Sequence, residues 1–468
     1  MPKEKIIFGS RKDYISVLID LFHGVKNKLK PLDGIVNPWF LIRIQTGYFF
    51  HLIYSGKLQV ENEKTVLCPP KKTKTSFIQK LKNGVKQLLL ALKINQQHKL
   101  LKNKLKDQTL YLGYQYHNIK EGKYNIYLHP FYEEETKKGE ILYLDLVNNN
   151  SELQSYLQLL LKYYSLKFKD KFHSLAYENT SLINNFLSKE KGIEINKLNS
   201  NNFSTLGSYL IKLKTYEQFL KTINPSKLFY YCYYDSDTNA MSFAANELKI
   251  PTVEYQHSNI TDTHFAYAKW EIPGTLKMHF PQTFYVWADT DKDLIINNFS
   301  DEEYSPEVEV VGNKYLQKSI EKSLDKNVGI DKNVLISLQG QWIPEFLEDF
   351  IYKDKDRKWY FRLHPRYPQD NIQLQNFASK KGNNVIVEHA NTLELYDLFA
   401  EISVLMTSFS GTALEAEKFG KKVIIFGEEG YNSYQNKIEN GTYSYIEKLE
   451  DINQTLLQNE KSIEKNPE

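Results

Sequence analysis

The chain has 468 residues, a length that predicts two or three domains, each large enough to bury its own core. Hydrophobic residues make up 41% and aromatic residues 14%, which excludes a disordered chain. The 60 basic and 57 acidic residues nearly cancel, so a protein dedicated to nucleic acid is not expected. Cys68 and Cys232 fit neither a disulfide framework nor a zinc site. With no secretion-type or bilayer-spanning apolar run, we expect a cytoplasmic protein.

The first distinctive segment is a basic amphipathic helix at about residues 71–106. It contains eleven lysines and no acidic residue. Apolar residues recur along it at helical spacing: Phe77, Leu81, Val85, Leu88 and Leu92. Two interpretations stay open. The apolar face packs on the core beneath a solvated lysine face, or the helix lies on an anionic membrane surface at the inner face of the cell membrane.

Residues 1–318 are predicted to form a Rossmann-like domain with helical elaborations. Strand, helix and strand patterns follow one another at 228–234, 235–248 and 251–255, and further strands are expected at 283–287 and 308–311. Residues 150–222 are predicted to be helical. Strand-like runs at 124–128 and 141–146 are interpreted as elaborations of this domain.

Residues 319–468 are predicted to form a second, compact doubly wound domain. Five short β-branched or aromatic runs alternate with helical patterns, which is typical of a parallel sheet: 334–338, 359–363, 385–387, 404–406 and 423–426.

A candidate phosphate-binding segment follows the strand at 404–406. Ser408, Ser410, Gly411 and Thr412 offer hydroxyls and free backbone N–H groups at the start of a helix, without bulky side chains. The alternative is a well-terminated helix with Thr412 and Glu415 as a capping box and Gly420 just beyond its end.

Two further segments leave the carboxyl ends of strands in the same domain. His364 and Arg366 follow the strand at 359–363, where Pro365 fixes the exit direction and Arg366 could pair with phosphate. Arginine is scarce here, since only five of the 60 basic residues are arginine. Gly340, in the turn after the first strand, is a further candidate for nucleotide binding. The alternative is a strand end decorated with surface charges.

A polar loop in the upstream domain follows the strand at 251–255. Glu254, His257 and Asp262 are candidates for a general base, although hydrogen-bonded loop residues would produce the same pattern. Asp235 and Asp237 have a DxD spacing that can hold a metal, but we favour helix capping for Asp237 and infer no metal. The motifs of P-loop, GxSxG, HExxH and GxGxxG proteins do not occur.

The order of these motifs resembles a known group. An E-x-QH loop, an HP dipeptide and an S-x-SGTA-x-EA helix start followed by FGKKVIIFG are similar to GT-B glycosyltransferases of bacterial surface polysaccharides, of the sialyl-, polysialyl- and Kdo-transferase kind. The resemblance covers roughly residues 225–430. It implies two Rossmann-like domains facing a cleft, with an acceptor domain followed by a nucleotide-sugar donor domain.

The resemblance also implies roles for individual residues. His364 would face the nucleotide and its phosphate, Ser408 and Ser410 would hold the donor phosphate, and Glu415 would lie against the ribose. His257 matches the histidine of the QH loop, here followed by Ser258 where glycine is common. No equivalent of an acidic EDG-type motif is present, so the base stays open among Asp262, His257 and Glu254.

The implied reaction is transfer of a sugar, with a CMP-sugar favoured by analogy, to a capsule, lipopolysaccharide or other glycan or lipid-linked glycan acceptor. The leaving phosphate would be stabilised by the helix start with His364 and Arg366, so no metal cofactor is expected. Two other hypotheses remain: a teichoic-type polyol-phosphate transferase, and a non-catalytic glycan-binding or scaffold protein.

Overall fold

The structure is a computed structural model that describes residues 8, 10–25, 27–29, 38–54, 77–106, 108–114, 118–119, 124–136, 142–145, 152–190, 196–269, 274–300, 304–323, 332–364, 367, 370–381, 384–452 and 454–456. The chain divides into two compact units, Met1–Asn313 and Lys314–Glu468. The division lies five residues before the boundary expected from the sequence.

The first unit is built around a six-stranded parallel sheet. Its strands are β1 (Thr109–Gly113), β4 (Leu142–Asp145), β5 (Lys227–Tyr230), β6 (Thr252–Tyr255), β7 (Thr283–Val286) and β8 (Glu307–Val310), in the order β4-β1-β5-β6-β7-β8. A separate antiparallel pair is formed by β2 (Asn118–Ile119) and β3 (Tyr124–Asn125). Each strand of the sheet runs parallel to its neighbours, as Leu228 beside Leu110 and Thr252 illustrates.

Eight helices and one short 3-10 helix belong to the described part of this unit. They are α1 (Arg11–Val25), α2 (Trp39–Tyr54), α3 (Phe77–Leu101), α4 (His129–Thr136), α5 (Glu152–Glu190), α6 (Asn196–Ile223), α7 (Ser236–Glu247) and α8 (Asp289–Phe299), with the 3-10 helix at Gly274–His279. Leu110 and Leu228 belong to the cluster that packs with the N-terminal helices, whereas Tyr111 and Phe229 belong to a second cluster. Because alternate strand residues point to opposite faces, both faces of the sheet are covered.

Helix α3 contradicts one of the two interpretations of the basic segment. Its C-terminal end is attached to the unit, since Leu101 is buried and the His98 imidazole lies 3.0 Å from the Thr222 hydroxyl. The expected apolar stripe, by contrast, is exposed at Leu81, Val85, Leu88 and Leu92. The expectation that this face packs on the core is therefore wrong for these four residues. The Phe77 side chain and residues 71–76 lie outside the described part.

The second unit contains another six-stranded parallel sheet. Its strands are β9 (Val334–Ser337), β10 (Trp359–Arg362), β11 (Val385–Ile386), β12 (Val404–Thr407), β13 (Lys422–Phe426) and β14 (Ser444–Ile446), in the order β11-β10-β9-β12-β13-β14. The helices are α9 (Lys314–Ser323), α10 (Glu345–Lys353), α11 (Asp370–Lys381), α12 (Glu388–Thr392), α13 (Leu395–Phe399), α14 (Thr412–Lys418) and α15 (Glu428–Glu439).

Both faces of this second sheet are also buried. Val334 and Ile336 of β9 pack into one apolar cluster, and Leu335 between them packs into another. The near-continuous apolar sequence of β9 and β12 follows from this double coverage. The expectation of two Rossmann-like, doubly wound α/β domains with helical N-terminal additions is confirmed. No helix in the described part is both long and apolar enough to span a bilayer.

Candidate functional site

Four loops of the second unit leave the same edge of its sheet. Because β10, β9, β12 and β13 are parallel neighbours, the segments after their carboxyl ends lie side by side. The chain passes from β9 to β10 on one side and returns to β12 on the other, so the strand order reverses between β9 and β12. Ligands of open α/β sheets bind in the crevice outside the carboxyl ends at such a reversal. Gly340 and Ser408 lie in the two loops that flank it.

The loop after β12 presents small hydroxyl side chains. Ser408 is only 7% exposed, and its Oγ has no hydrogen-bond partner within the described part of the chain. The Ser410 Oγ accepts from the Thr412 hydroxyl at 2.9 Å and from the Thr412 N–H at 3.4 Å. A Cβ added to Gly411 would meet no atom within 4 Å. Ser408 is therefore a buried polar group whose bonding is incomplete, beside open space over the next turn.

The capping box that is the alternative interpretation of this segment does not form at the start of α14. Gly411 is the N-cap and makes no side-chain capping bond, while the Glu415 carboxylate instead accepts from the Tyr396 hydroxyl at 2.9 Å. Burial raises the pKa of Glu415 to about 7, against the opposing effects of Tyr396 and Arg362. The C-terminal expectation is confirmed, since Gly420 follows the C-cap with a φ of +68°.

A hydrogen bond connects the loops after β9 and β13. Gly340, with a φ of +79°, donates its N–H to the Asp370 carboxylate at 2.7 Å. The next side chain, Gln341, donates to the buried Glu429 carboxylate at 2.8 Å. Sequence reasoning missed Glu429. Its signal in the sequence is an acidic pair directly after the strand and Gly427, the same kind of position as that of Ser408 and His364.

Gly430 allows α15 to approach the Ser408 backbone. A Cβ at this position would lie 2.7 Å from the Ser408 carbonyl oxygen and 2.7 Å from the Ile425 side chain. Tyr434, further along the same helix, donates its hydroxyl to the Ser410 carbonyl oxygen. Helix α15 thus fixes the backbone of the hydroxyl-bearing loop.

His364 lies just past β10 and is partly buried. Its ring packs against Tyr367, with 5.2 Å between the ring centroids. Asn391 holds the strand end, because its amide donates to the Phe361 carbonyl and its oxygen accepts from the Leu363 N–H, both at 2.8 Å. Arg366 lies outside the described residues.

The Arg362 guanidinium is bound to backbone carbonyl groups of its own unit. Its Nη1 donates to the carbonyl oxygens of Ala390 and Leu393 at 2.8 and 2.7 Å. Burial lowers its pKa, while Glu394 and Glu415 oppose that effect. Arg362 therefore fastens α12 to the strand that leads to His364.

In the polar loop of the first unit, His257 is surrounded by aromatic rings from other segments. His257 is 8% exposed, and its Nε2 lies 3.4 Å from the Tyr234 hydroxyl. The rings of Tyr231 and Tyr127 pack around it at centroid distances of 5.7 and 6.1 Å. Gln256 shapes the turn, since its side chain accepts from the Trp287 N–H and donates to the Ser258 carbonyl.

Glu254 is buried within the sheet rather than in the loop. It is 1% exposed, and its Oε1 accepts from the Tyr233 N–H at 3.2 Å and the Tyr267 hydroxyl at 3.1 Å. Its Oε2 has no hydrogen-bond partner in the described part. Burial raises the pKa of Glu254 to about 8, so the carboxyl is protonated at neutral pH. These contacts favour a structural role over that of the base.

Asp262 and His264 complete the polar loop. Asp262 is exposed, and no hydrogen bond or ion pair to it occurs among the residues that the structure describes. His264 packs against Tyr234, and burial, followed by nearby Arg11, lowers its pKa to about 3. The structure thus brings His257 and His264 around Tyr234, and leaves Asp262 apart from them.

The DxD carboxylates are engaged in structural contacts. Asp235, not Asp237 as expected, is the N-cap of α7 and also accepts from the Tyr114 hydroxyl at 2.6 Å. Asp237 pairs with Lys212 at 2.9 Å and accepts from the Tyr216 hydroxyl. No cluster of three or more His, Cys, Asp or Glu side chains suited to a metal occurs within the described ranges.

Comparison with known proteins gives similar folds only. No protein-family model and no curated protein matches this sequence. The UDP-GlcNAc 2-epimerase of Methanocaldococcus jannaschii is 14% identical, with 74% of this chain and 90% of that chain covered and a TM-score of 0.44. MurG of Acinetobacter baumannii is 10% identical, with 75% of this chain and 90% of that chain covered and a TM-score of 0.38. The wall teichoic acid polymerase TagF is 12% identical, with 77% of this chain and 81% of that chain covered and a TM-score of 0.38.

Proposed function

We propose that the chain is a GT-B-type glycosyltransferase that moves a sugar from a nucleotide-activated donor to a surface-glycan acceptor. The observation that carries this proposal is the buried Ser408 hydroxyl, which lacks a hydrogen-bond partner in the described part and lies where the strand order of the second sheet reverses. A bound phosphate oxygen would supply the missing acceptor.

The second unit is assigned the donor. The diphosphate or monophosphate of the nucleotide would accept hydrogen bonds from Ser408 and from backbone N–H groups around Gly411 and Thr412. Because α14 has only seven residues, the hydroxyls and loop amides carry this proposal and the helix dipole does not. His364 would donate to the same phosphate from the end of β10, and Arg366 is retained as a further donor. Glu429 joins Glu415 as a candidate acceptor for the ribose hydroxyls.

The first unit is assigned the acceptor. In the proposed reaction an acceptor hydroxyl attacks the anomeric carbon, the bond from that carbon to the phosphate oxygen breaks, and the acceptor proton passes to a base. His257 and Asp262 are retained as bases, and Glu254 is not, because its carboxyl is protonated and enclosed. The leaving phosphate keeps the bonding electrons and is stabilised by the donors named above. We propose that no metal cofactor takes part.

Nucleotide binding is the first test. Thermal shift of the full chain with CMP, UDP, GDP and CDP should identify one nucleotide that raises the melting temperature. Ser408→Ala should then lower the affinity for that nucleotide about tenfold, as expected for the loss of one hydrogen bond to a charged group. Ser319→Ala is the matched control, because the Ser319 hydroxyl bonds only within α9, to the Tyr315 carbonyl, among the contacts described.

The outcomes separate the competing functions. If no nucleotide shifts the melting temperature, the donor site is wrong and a non-catalytic glycan-binding protein gains support. If a nucleotide binds and product analysis shows a new phosphodiester instead of a glycosidic bond, the chain is a polyol-phosphate transferase. Equal affinities of Ser408→Ala and wild type would remove Ser408 from the site.

A further inference from the structure

The outward face of α3 is apolar over four turns. Six side chains on it are each at least 53% exposed: Ile78, Leu81, Val85, Leu88, Leu89 and Leu92. Their spacing of three, four, three, one and three residues places them within one stripe along the helix. A stripe of large apolar side chains in water is costly to maintain unless something covers it.

The opposite face of α3 is the one that meets the protein. The half-buried positions Asn83, Gln87, Leu90 and Ile94 follow each other at spacings of four, three and four. Ile94 packs against the main apolar cluster of the first unit, and the helix ends at the buried Leu101. The protein-facing side of α3 therefore mixes polar and apolar side chains, while the solvent-facing side carries a continuous apolar stripe, which is not the usual amphipathic arrangement.

The charges beside the stripe identify what can cover it. Lys82, Lys86 and Lys93 are exposed and follow at spacings of four and seven, along one flank of the leucines. The whole helix Phe77–Leu101 contains no acidic residue. A second copy of the same face would bring like charges together, whereas an anionic lipid surface offers both acyl chains and negative headgroups.

We propose that α3 is an interfacial membrane anchor that lies flat on an anionic bilayer, with its leucines in the acyl boundary and its lysines at the headgroups. The helix would lie on the bilayer and not cross it, since no helix in the described part is both long and apolar enough to span. The proposal is independent of sugar transfer, because it rests on residues of the first unit that the proposed reaction does not use.

Cosedimentation of the full chain with vesicles tests the anchor. Wild type should bind vesicles of phosphatidylglycerol and phosphatidylcholine in equal parts, and should bind pure phosphatidylcholine at least about tenfold more weakly. Raising the salt to about 1 M shortens the Debye length to about 3 Å and should reduce binding to the anionic vesicles.

Two sets of substitutions separate the apolar and charged contributions. Leu81→Gln with Leu88→Gln and Leu92→Gln, all to a good helix former, should lower vesicle affinity at least about tenfold. Lys82→Gln with Lys86→Gln and Lys93→Gln should do the same and also remove the salt dependence. Circular dichroism should be unchanged in both, because the substituted side chains are exposed.

Matched controls come from the second unit. Ile372→Ser with Leu449→Ser replaces exposed apolar side chains, and Lys353→Gln with Lys355→Gln and Lys358→Gln replaces three exposed lysines. Neither control should change vesicle binding. Loss of binding in the controls equal to that in the α3 variants, or full binding by the leucine variant, would overturn the proposal. So would absent vesicle binding with a wild-type dimer that the leucine variant dissociates, since a second copy would then cover the stripe.

Discussion

The two sheets share a parallel topology, but the loops at their carboxyl edges differ in side-chain volume. After β5 and β6 the first unit places Tyr231 and Tyr234 against His257, and Tyr233 packs in turn against Tyr234. After β12 the second unit places Ser408 and Gly411 instead, with one hydroxyl lacking a partner in the described part and one position facing open space. The sheet supplies the edge, and the volume of the loop side chains decides whether that edge is filled or can take a ligand.

The strongest test of this contrast is His364→Ala in the second unit. If His364 donates to the leaving phosphate as proposed, its loss should reduce turnover about 10²- to 10³-fold, measured as nucleotide release from a sugar donor that carries the nucleotide identified by thermal shift. His389→Ala is the control, because His389 is exposed and pairs with Glu401. Unchanged turnover in His364→Ala would remove the histidine from the reaction.

Glu254→Gln tests whether the first edge is structural at this position. The pKa of Glu254 is raised from 4.5 to about 8, so the folded state holds a proton that the unfolded state has released between those values. Stability from this group is therefore greatest below about pH 4.5 and is lost as the pH rises through about 8. Because glutamine resembles the protonated acid, the variant should be more stable than wild type at about pH 9, by on the order of 5 kcal/mol, measured by urea denaturation.

Glu217→Gln should have the opposite effect on stability, because the pKa of Glu217 is lowered and not raised. Burial alone would raise the pKa of Glu217, but Lys221 and Lys214 lower it overall, so its stabilisation is present above about pH 4.5 and lost in acid. The Glu217→Gln variant should therefore have a lower free energy of unfolding than wild type at neutral pH, in the same urea denaturation.

The Glu254 prediction has its own contrary outcome. If Glu254→Gln abolished transfer while the fold stayed intact, Glu254 would again be a candidate for the base.

Gly430→Ala tests how closely α15 must approach the hydroxyl-bearing loop. The new Cβ would meet the Ser408 carbonyl oxygen at 2.7 Å, so the variant should lose about 1–3 kcal/mol of stability and bind nucleotide more weakly. Gly411→Ala is the matched control, with a φ of −56° and no atom within 4 Å of the added Cβ. We expect its free energy of unfolding to stay within about 0.5 kcal/mol of wild type. Equal stabilities of the two variants would contradict the close packing.

Tyr114→Phe is the smallest expected effect. It removes the hydroxyl that donates to Asp235 and joins the loops after β1 and β5. The free energy of unfolding should fall by about 1.5 kcal/mol, the usual contribution of a hydrogen bond to a charged group. Tyr48→Phe, at an exposed tyrosine, should change nothing measurable in the same titration.

The sequence predicted most of the strands in both units because their apolar runs are short and well bounded. It placed the end of β5 at residue 234, whereas the strand ends at Tyr230 and Cys232 has a φ of +62°. A run of aromatic residues fits a strand and a buried loop equally well, so the turn was not visible. Strands β1, β2 and β14 were not predicted, although β1 lies between β4 and β5 in the sheet.

The sequence predicted which segments form the candidate site, but not which residues from different segments contact one another. Small hydroxyl residues after a strand pointed to Ser408 and Ser410, because that pattern has a local chemical meaning. Glu429 was missed because its importance depends on the neighbouring Gln341, 88 positions away in sequence. The reversal of strand order between β9 and β12 likewise exists only once the sheet is assembled.

The Asn391 side chain extends the hydrogen bonding of β10 past its last residue, as a further strand would do. It accepts from one backbone group at the strand end and donates to another. The point at which the chain leaves the sheet is thus defined by an amide on a neighbouring helix, one residue before His364. Substitutions at Asn391 should move the His364 imidazole without changing the ring itself. The position of the imidazole and its identity can therefore be varied separately.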